Sequence, residues 1–447
     1  MTRARVALVN PSWSFEGSVY FGCREPHLPL EYGYAKALLE AEGHDVLIVD
    51  GQLGGEALAG PGGIARAVAA FGPDLCVVTS APSYLFWRCA PPELRVPREA
   101  AAALRGSCGA LVGVGPHAST TPRAALAKLS ADAVVLGECE EILVRLAGTP
   151  RARWGEVDSI AWRDGRGPAR VQGGPHATDM ARLPALAWPD DVVRRHAHHH
   201  HRFDGELRGL GAEVEASRGC PYHCTFCAKE SFRDGYRKRP LAVVLEEIDR
   251  LAAQGVEYVY FIDEIFVPDR PLLEALRSRP IRFGVQMRID NWSAEMLDLL
   301  GDAGCVSIEA GVESVTEEGR SLLAKRCKLT TRELVDRLVR VKRRVAFVQA
   351  NLMDSRCDRR EDVDAFRAEL RAHGVWANDP VPLFPYPGSP EYALLWGPPD
   401  DLAWERAHEH YLARFDAFSD VQEVRERGGR PRALAELEAR GAEVAGG

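Results

Sequence analysis

Three cysteines fall close together, Cys220, Cys224 and Cys227, in Ser217-Arg218-Gly219-Cys220-Pro221-Tyr222-His223-Cys224-Thr225-Phe226-Cys227. Their spacing lets one short loop wrap three thiolates around a compact centre, and thiolates are the ligands of iron–sulfur clusters. Three ligands on a four-iron cubane leave one iron open, which is what a metal needs to take a substrate. Two other readings stand beside this one. The thiolates can hold structural zinc with His223 as fourth ligand, or they can be buried thiols without a ligand. Structural zinc usually takes two paired cysteine or histidine elements. The chain offers no second pair, which favours the cluster. The cysteines total 11, and the other eight are scattered singly. An odd, dispersed set is not a disulfide framework and reads as reduced thiols of a cytoplasmic protein.

The elements that must position this loop show in the hydrophobic pattern. Short apolar runs alternate with helical stretches, as in a parallel α/β sheet. In the first half, strands are expected at Val6–Asn10, Asp45–Asp50, Leu75–Ser80, Ala110–Val114 and Ala133–Leu136. Helices are expected at Leu28–Glu42, Ile64–Phe71 and Pro97–Leu104. Ligands of such sheets bind beyond the carboxyl ends of the strands. The residues there are Asn10, Ser80, Gly115, His117, Gly137 and Glu138. The first strand runs into Asn10-Pro11-Ser12-Trp13 and lacks G-x-G-x-x-G, so a dinucleotide is disfavoured.

Residues 151–210 read as a connector with a hairpin around Asp164-Gly165-Arg166-Gly167. It ends in a histidine run (His196, His198, His199, His200, His201) whose plain reading is a solvated linker. From 211 the alternation restarts. Strands are expected at Glu213–Ser217, Tyr258–Ile262, Phe283–Met287, Ser307–Ala310, Phe347–Leu352 and Val381–Phe384. Six strand–helix units make a partial barrel, short of the eight of a closed one. The cysteine loop follows the first of these strands. The expected segments are therefore 1–150, 151–210, 211–395 and a helical extension with a tail over 396–447.

At these residues the chain resembles a known family. C-x-x-x-C-x-x-C with Phe226 before the last cysteine is similar to the motif of the radical S-adenosylmethionine superfamily. Flanking pieces resemble its cobalamin-binding branch. They include Tyr236-Arg237-Lys238-Arg239-Pro240, Phe261-Ile262-Asp263-Glu264-Ile265-Phe266, Gly311-Val312-Glu313-Ser314 and Pro385-Tyr386-Pro387-Gly388-Ser389-Pro390. In the first half they include Leu28-Pro29-Leu30-Glu31-Tyr32-Gly33, Gly115-Pro116-His117-Ala118 and Gly137-Glu138-Cys139-Glu140. The resemblance spans about residues 5–395.

The resemblance implies roles. Cys220, Cys224 and Cys227 would ligate a [4Fe–4S] cluster, and S-adenosylmethionine would chelate the open iron. One electron would break its carbon–sulfur bond and yield a 5′-deoxyadenosyl radical. Phe226 would lie against the adenine, Asp263 and Glu264 would receive the amino group, and Glu309 or Glu313 would meet the ribose or line the substrate pocket. Each carboxylate has a plainer reading as a helix cap or ion-pair partner. Arg288 would meet a carboxylate or form a structural pair. The first half lacks the D-x-H-x-x-G of proteins that displace cobalamin's own base, so His117 reads as a loop or pocket residue. The fifth strand leads into Met353-Asp354-Ser355-Arg356-Cys357-Asp358 where the family usually has G-x-P-G-E-T. Ser83–Pro92 reads as a roof or a packing segment, and Trp396 and Trp404 as a cover of the barrel mouth or, by default, as core.

The implied architecture is an N-terminal doubly wound, Rossmann-like cobalamin domain followed by a partial (β/α)6 barrel. The implied activity is methyl transfer to an unactivated carbon of a small-molecule or biosynthetic-intermediate substrate, with a low-potential electron donor such as flavodoxin or ferredoxin. Cyclisation, oxidation or rearrangement with the same cofactors is the first alternative, and a cobalamin and iron–sulfur sensor the second. The formal net charge of −8 gives no global reason to bind nucleic acid. No apolar run reaches the ~18 residues of a membrane span.

Overall fold

The computed structural model describes residues 3–15, 17–18, 26–58, 60–82, 90–165, 167–196, 209–414 and 432–443. The strands in chain order are β1 (Arg5–Asn10), β2 (Asp45–Asp50), β3 (Leu75–Thr79), β4 (Ala110–Val114), β5 (Ala133–Val135), β6 (Ile160–Trp162), β7 (Arg170–Gln172), β8 (Leu210–Val214), β9 (Ser217–Arg218), β10 (Arg237–Lys238), β11 (Val256–Phe261), β12 (Arg282–Met287), β13 (Cys305–Glu313), β14 (Phe347–Leu352) and β15 (Trp376–Ala377). They fall into two compact units. The first comprises Met1–Leu186, Ala228–Asp234 and Phe384–Gly447, and the second Ala187–Cys227 and Gly235–Leu383.

The first unit is built on a seven-stranded sheet in the order β2-β1-β3-β4-β5-β6-β7. The strands from β2 through β5 are parallel. Alternation along each strand sends side chains to both faces, and helices cover both. Val6 and Leu8 of β1 pack with Tyr32, Ala35 and Leu39 of the helix Leu30–Ala41. Ala7 and Val9 pack with Ile64 and Val68 of Gly60–Phe71 and with Leu104 of Arg95–Leu104. The chain order reverses between β1 and β3, where open α/β sheets hold their ligands. The expected hairpin forms as β6, antiparallel to β5, and β7, antiparallel to β6. The connector's hairpin thus extends the first sheet, and the expected cuts at 150 and 395 fall inside this unit's segments. The expected tail contributes the helix Leu434–Glu443, where Glu438 accepts from Leu94 N at 3.2 Å and from Lys128 Nζ at 3.0 Å.

The second unit holds six parallel strands in the order β15-β14-β13-β12-β11-β8. One face is uniformly apolar: Ala212, Val214, Phe261, Val285, Met287, Ile308, Ala310, Val348, Ala350 and Leu352 are all buried. The other face carries Glu213, Tyr258, Tyr260, Gln286, Ser307, Glu309, Gln349 and Asn351 by the same alternation. Gly284 lies on this polar face because the Tyr258 hydroxyl occupies the space a Cβ would need.

Two strand expectations need correction. Glu213–Ser217 is not one strand: β8 ends at Val214, and Ser217–Arg218 pairs antiparallel with Arg237–Lys238 instead. Val381–Phe384 is not the sixth strand. Pro380 and Pro382 flank Val381 and have no N–H to donate, so Val381 makes only an isolated bridge to Met353. β15 supplies the sixth strand, and the Asn378 side chain completes the edge by accepting from Leu352 N at 2.7 Å. His196 also departs from the solvated-linker reading. It is fully buried, with Nε2 2.7 Å from Glu213 Oε2. His198–His201 and Ser83–Cys89 lie outside the described residues.

Candidate functional site

The cysteine loop leaves the sheet through Ser217-Arg218-Gly219, and each step of that exit is tied down. Asp263, just past β11, is buried and accepts from Ala216 N at 2.9 Å and from the Ser217 hydroxyl. Burial pushes its carboxyl up to about 7 despite these bonds. Glu264 Oε2 accepts from Gly219 N at 2.8 Å. Gly219 has φ +76° and sits against the Gly235 carbonyl where a Cβ would have to be, so only glycine fits. Asp263 and Glu264 therefore meet on the residues that set the direction of the loop.

The loop itself is pinned from three sides. The Tyr222 hydroxyl donates to Asn291 Oδ1 at 2.8 Å, and the Arg288 guanidinium lies over the Tyr222 ring at 3.9 Å. Thr225 N donates to Leu323 O at 3.1 Å, and Cys227 N to Cys224 O at 3.2 Å. Cys220, Cys224, Cys227 and Phe226 are partly exposed, and His223 is exposed. The three thiols belong to no disulfide. Among the described residues no three His, Cys, Asp or Glu side chains converge on a point that would hold a single ion. Thiolates that each bind a different iron of a cubane need not converge so closely. Three partly exposed cysteines on a braced loop fit such a cluster.

Arg288 pairs with Asp290 at 2.7 Å and donates to Lys325 O at 2.6 Å. Lys325, which the sequence reading missed, is buried. Its Nζ donates to Gly311 O at 3.0 Å and pairs with Glu313. Glu313 stands in the left-handed region at φ +62°, which is rare and costly for a residue with a side chain. Gly311 makes room for it, since a Cβ there would lie 2.5 Å from Glu313 Oε1. Burial and the neighbouring Arg288 lower the Lys325 ammonium to about 8. Burial pushes the Cys224 thiol up, and Lys325 and Arg288 oppose that. Glu309 is partly exposed in a row with Gln286 and Gln349. Asp358, in the loop that departs from the family pattern, accepts from Ser314 Oγ at 2.8 Å and Val315 N at 2.9 Å. That loop braces the turn after Glu313.

The first unit's candidates sit at strand ends. Asn10 bonds Asp50 at 3.0 Å and Trp13 at 2.9 Å. Gly115 has φ +117°, and a Cβ there would lie 2.5 Å from Ser80 Oγ. Among the described residues that buried hydroxyl has no hydrogen-bond partner. An unspent hydroxyl beside a glycine, at the ends of β3 and β4, fits a ligand approaching the backbone. His117 is buried with the Trp404 ring stacked on it at 4.1 Å, and burial followed by Lys128 lowers its imidazole to about 3. Gly137 N donates to Ser119 Oγ at 2.8 Å, and Glu138 accepts from Thr178 N at 3.0 Å. Both residues hold the chain where it crosses at His176–Thr178.

Residues 214–353, which hold the loop and most of the second sheet, match the Radical SAM superfamily. That stretch of the chain carries the radical SAM domain. Over 366 residues it is 26% identical to cytidylyl-2-hydroxyethylphosphonate methyltransferase of Streptomyces wedmorensis, covering 70% of this chain and 66% of the relative. It is 24% identical to an uncharacterized methyltransferase of Pyrococcus horikoshii, covering 64% and 61%. The chain thus spans somewhat under two thirds of these relatives. Among solved structures it is similar to the radical S-adenosylmethionine methyltransferase TsrM from Kitasatospora setae, with a TM-score of 0.69, 22% identity, and 88% and 76% of the two chains covered. It is also similar to the cobalamin-dependent radical enzyme OxsB, with a TM-score of 0.64, 14% identity, and 99% and 72% covered. These likenesses establish the fold.

Proposed function

We propose that this chain is a cobalamin-dependent radical S-adenosylmethionine methyltransferase that methylates an unactivated carbon of a small organic substrate. The observation that carries the reading is the Cys220–Cys227 loop, held by Glu264, Asn291 and Leu323 with its three cysteines partly exposed and in no disulfide. The second unit is then a partial barrel, and the first a cobalamin domain with Ser80 and Gly115 nearest the cofactor. The bound cofactors supply a carbon-centred radical and a transferable methyl group. The chain's residues do the placing. Cys220, Cys224 and Cys227 hold the cluster, and Asp263 and Glu264 fix the loop that carries them. Phe226 offers an apolar face to the adenine. Gln286, Glu309, Gln349 and Asn351 give a polar wall for hydrogen-bonding groups of S-adenosylmethionine or substrate, orientation being the main contribution a protein makes to such chemistry. TsrM and the Streptomyces relative are methyltransferases, which supports methyl transfer over the alternatives. A reductant of the flavodoxin or ferredoxin class and a cytoplasmic setting belong to the same proposal.

The test is anaerobic. The cluster is reconstituted, S-adenosylmethionine and dithionite are added, and nucleoside products are quantified with and without cobalamin. 5′-Deoxyadenosine that disappears in Cys224→Ala, with cobalamin-dependent S-adenosylhomocysteine beside it, is the expected result. Deoxyadenosine alone would favour cyclisation, oxidation or rearrangement, or an absent substrate; a Cereibacter sphaeroides cyclase is 25% identical over 47% of this chain. Neither product from protein with a verified cluster would overturn the reading and revive the sensor.

A further inference from the structure

The C-terminal helices pack against the carboxyl end of the first sheet. Strands β1, β3 and β4 are neighbours in that sheet, and open α/β sheets bind their ligands beyond the carboxyl ends of such strands. The chain leaving each of these ends meets residues from beyond Phe384. Gly17, in the segment after β1, faces Arg432 and Leu437, and a Cβ there would lie 3.4 Å from Arg432 Cδ. Ala81, just past β3, and Ala90 share a buried cluster with Trp404 and Leu434. His117, just past β4, is stacked on Trp404 at 4.1 Å. Lys128 bridges both helices, 2.5 Å from Glu405 of Ala403–Arg414 and 3.0 Å from Glu438 of Leu434–Glu443.

This contact carries polar groups that packing alone does not need. Trp404 and His408 lie one turn apart on one face of Ala403–Arg414, and both are buried. Among the described residues the Trp404 indole Nε1 and both His408 ring nitrogens have no hydrogen-bond partner. The buried Ser80 hydroxyl, between β3 and Ala81, is in the same condition. Burying a polar group without a partner is costly, and native interiors rarely leave several in one neighbourhood. Burial lowers the His408 imidazole to about 4, so it is neutral at pH 7, with one donor and one acceptor. An indole N–H, a neutral imidazole and a hydroxyl suit a neutral partner that both donates and accepts. A carboxamide has that chemistry. A phosphate or carboxylate calls for a cation, and Lys128 is already held by two carboxylates.

Resting on the cobalamin reading above, we propose that the helix Ala403–Arg414 is part of the cobalamin site, with Trp404 and His408 binding side-chain carboxamides of the corrin ring. The corrin periphery is rich in such amides, which supply the missing hydrogen-bond partners. The first unit's ligand site is then built from both ends of the chain. Ser80 and Gly115 come from the N-terminal sheet, and Trp404 and His408 from the helix packed against it.

The measurement is equilibrium binding of hydroxocobalamin to the reconstituted full-length protein, read by absorbance after dialysis. Iron per chain and the urea midpoint of the cobalamin-free protein are measured alongside. Trp404→Phe keeps a ring against His117 and removes the N–H. His408→Leu removes the two ring nitrogens. Each is expected to weaken cobalamin binding about three- to tenfold, the effect of losing one hydrogen bond. Iron content should not change, and the cobalamin-free protein should be at least as stable, because an unpartnered polar group is gone. Cobinamide, which keeps the corrin amides and lacks the nucleotide tail, should show the same loss. Unchanged affinity in either folded variant overturns the proposal, as does an affinity that falls only together with the urea midpoint, since both outcomes mean core packing alone. A loss with cobalamin that cobinamide does not share overturns the assignment to corrin amides. Unaltered protein that holds its cluster but binds no hydroxocobalamin would instead defeat the cobalamin reading itself.

Discussion

Gly219 shows how a single residue decides where three cysteines point. Its φ of +76° and its contact with the Gly235 carbonyl leave no room for a methyl group. Gly219→Ala should cost about 1–3 kcal/mol of backbone strain and lower cluster occupancy, measured as iron per chain after reconstitution. Glu264→Gln keeps the shape but weakens a charge-assisted bond worth ~1.5–3 kcal/mol. Its iron content should fall less than that of Gly219→Ala. The cysteines were legible because their spacing is itself the signal. Lys325 was not: it stands in Leu322-Leu323-Ala324-Lys325-Arg326-Cys327-Lys328 among charges that look solvated. Only the left-handed turn around it buries that one ammonium, and no spacing rule announces such a turn.

At the scale of elements, the polar face of the second sheet depends on Gly284 accommodating Tyr258. Gly284→Ala forces overpacking against the tyrosine ring and should destabilise the protein by about 1–3 kcal/mol. Adding Tyr258→Phe removes the clashing hydroxyl and should recover part of that loss. A double-mutant cycle in urea would show coupling between the two positions. Most strands were readable because runs such as Asp45–Asp50 and Phe347–Leu352 are bounded by turn residues and match their observed ends. The last strand was misplaced because Val381 and Leu383 are apolar, while the neighbouring prolines that forbid a ladder weigh little in a hydrophobic pattern. The alternation Gln286, Glu309, Gln349 becomes a wall only once register sets the three side by side.

For the whole molecule, the sequence divided at its composition shifts, whereas the chain folds by contacts that ignore them. His117 and Trp404 are far apart in sequence and stacked in the first unit. A histidine whose folded pKa is lowered from 6.5 to about 3 binds more protons when unfolded. It therefore takes stability away as pH falls from about 6.5 toward 3. Urea unfolding of His117→Phe should lose less stability over that range than the unaltered protein, each pKa unit being worth about 1.4 kcal/mol.

The first unit closes only with residues from Phe384 onward, roughly 200 residues after Leu186. On a ribosome adding about 5–20 residues per second, the N-terminal sheet must wait some tens of seconds for its last helices. Throughout that wait Lys128 lacks Glu405 and Glu438, and His117 lacks the ring that covers it. Until then the surfaces those residues cover stay exposed on the nascent chain. A slower stretch of translation between the second unit and the C-terminal helices would lengthen its exposure to aggregation.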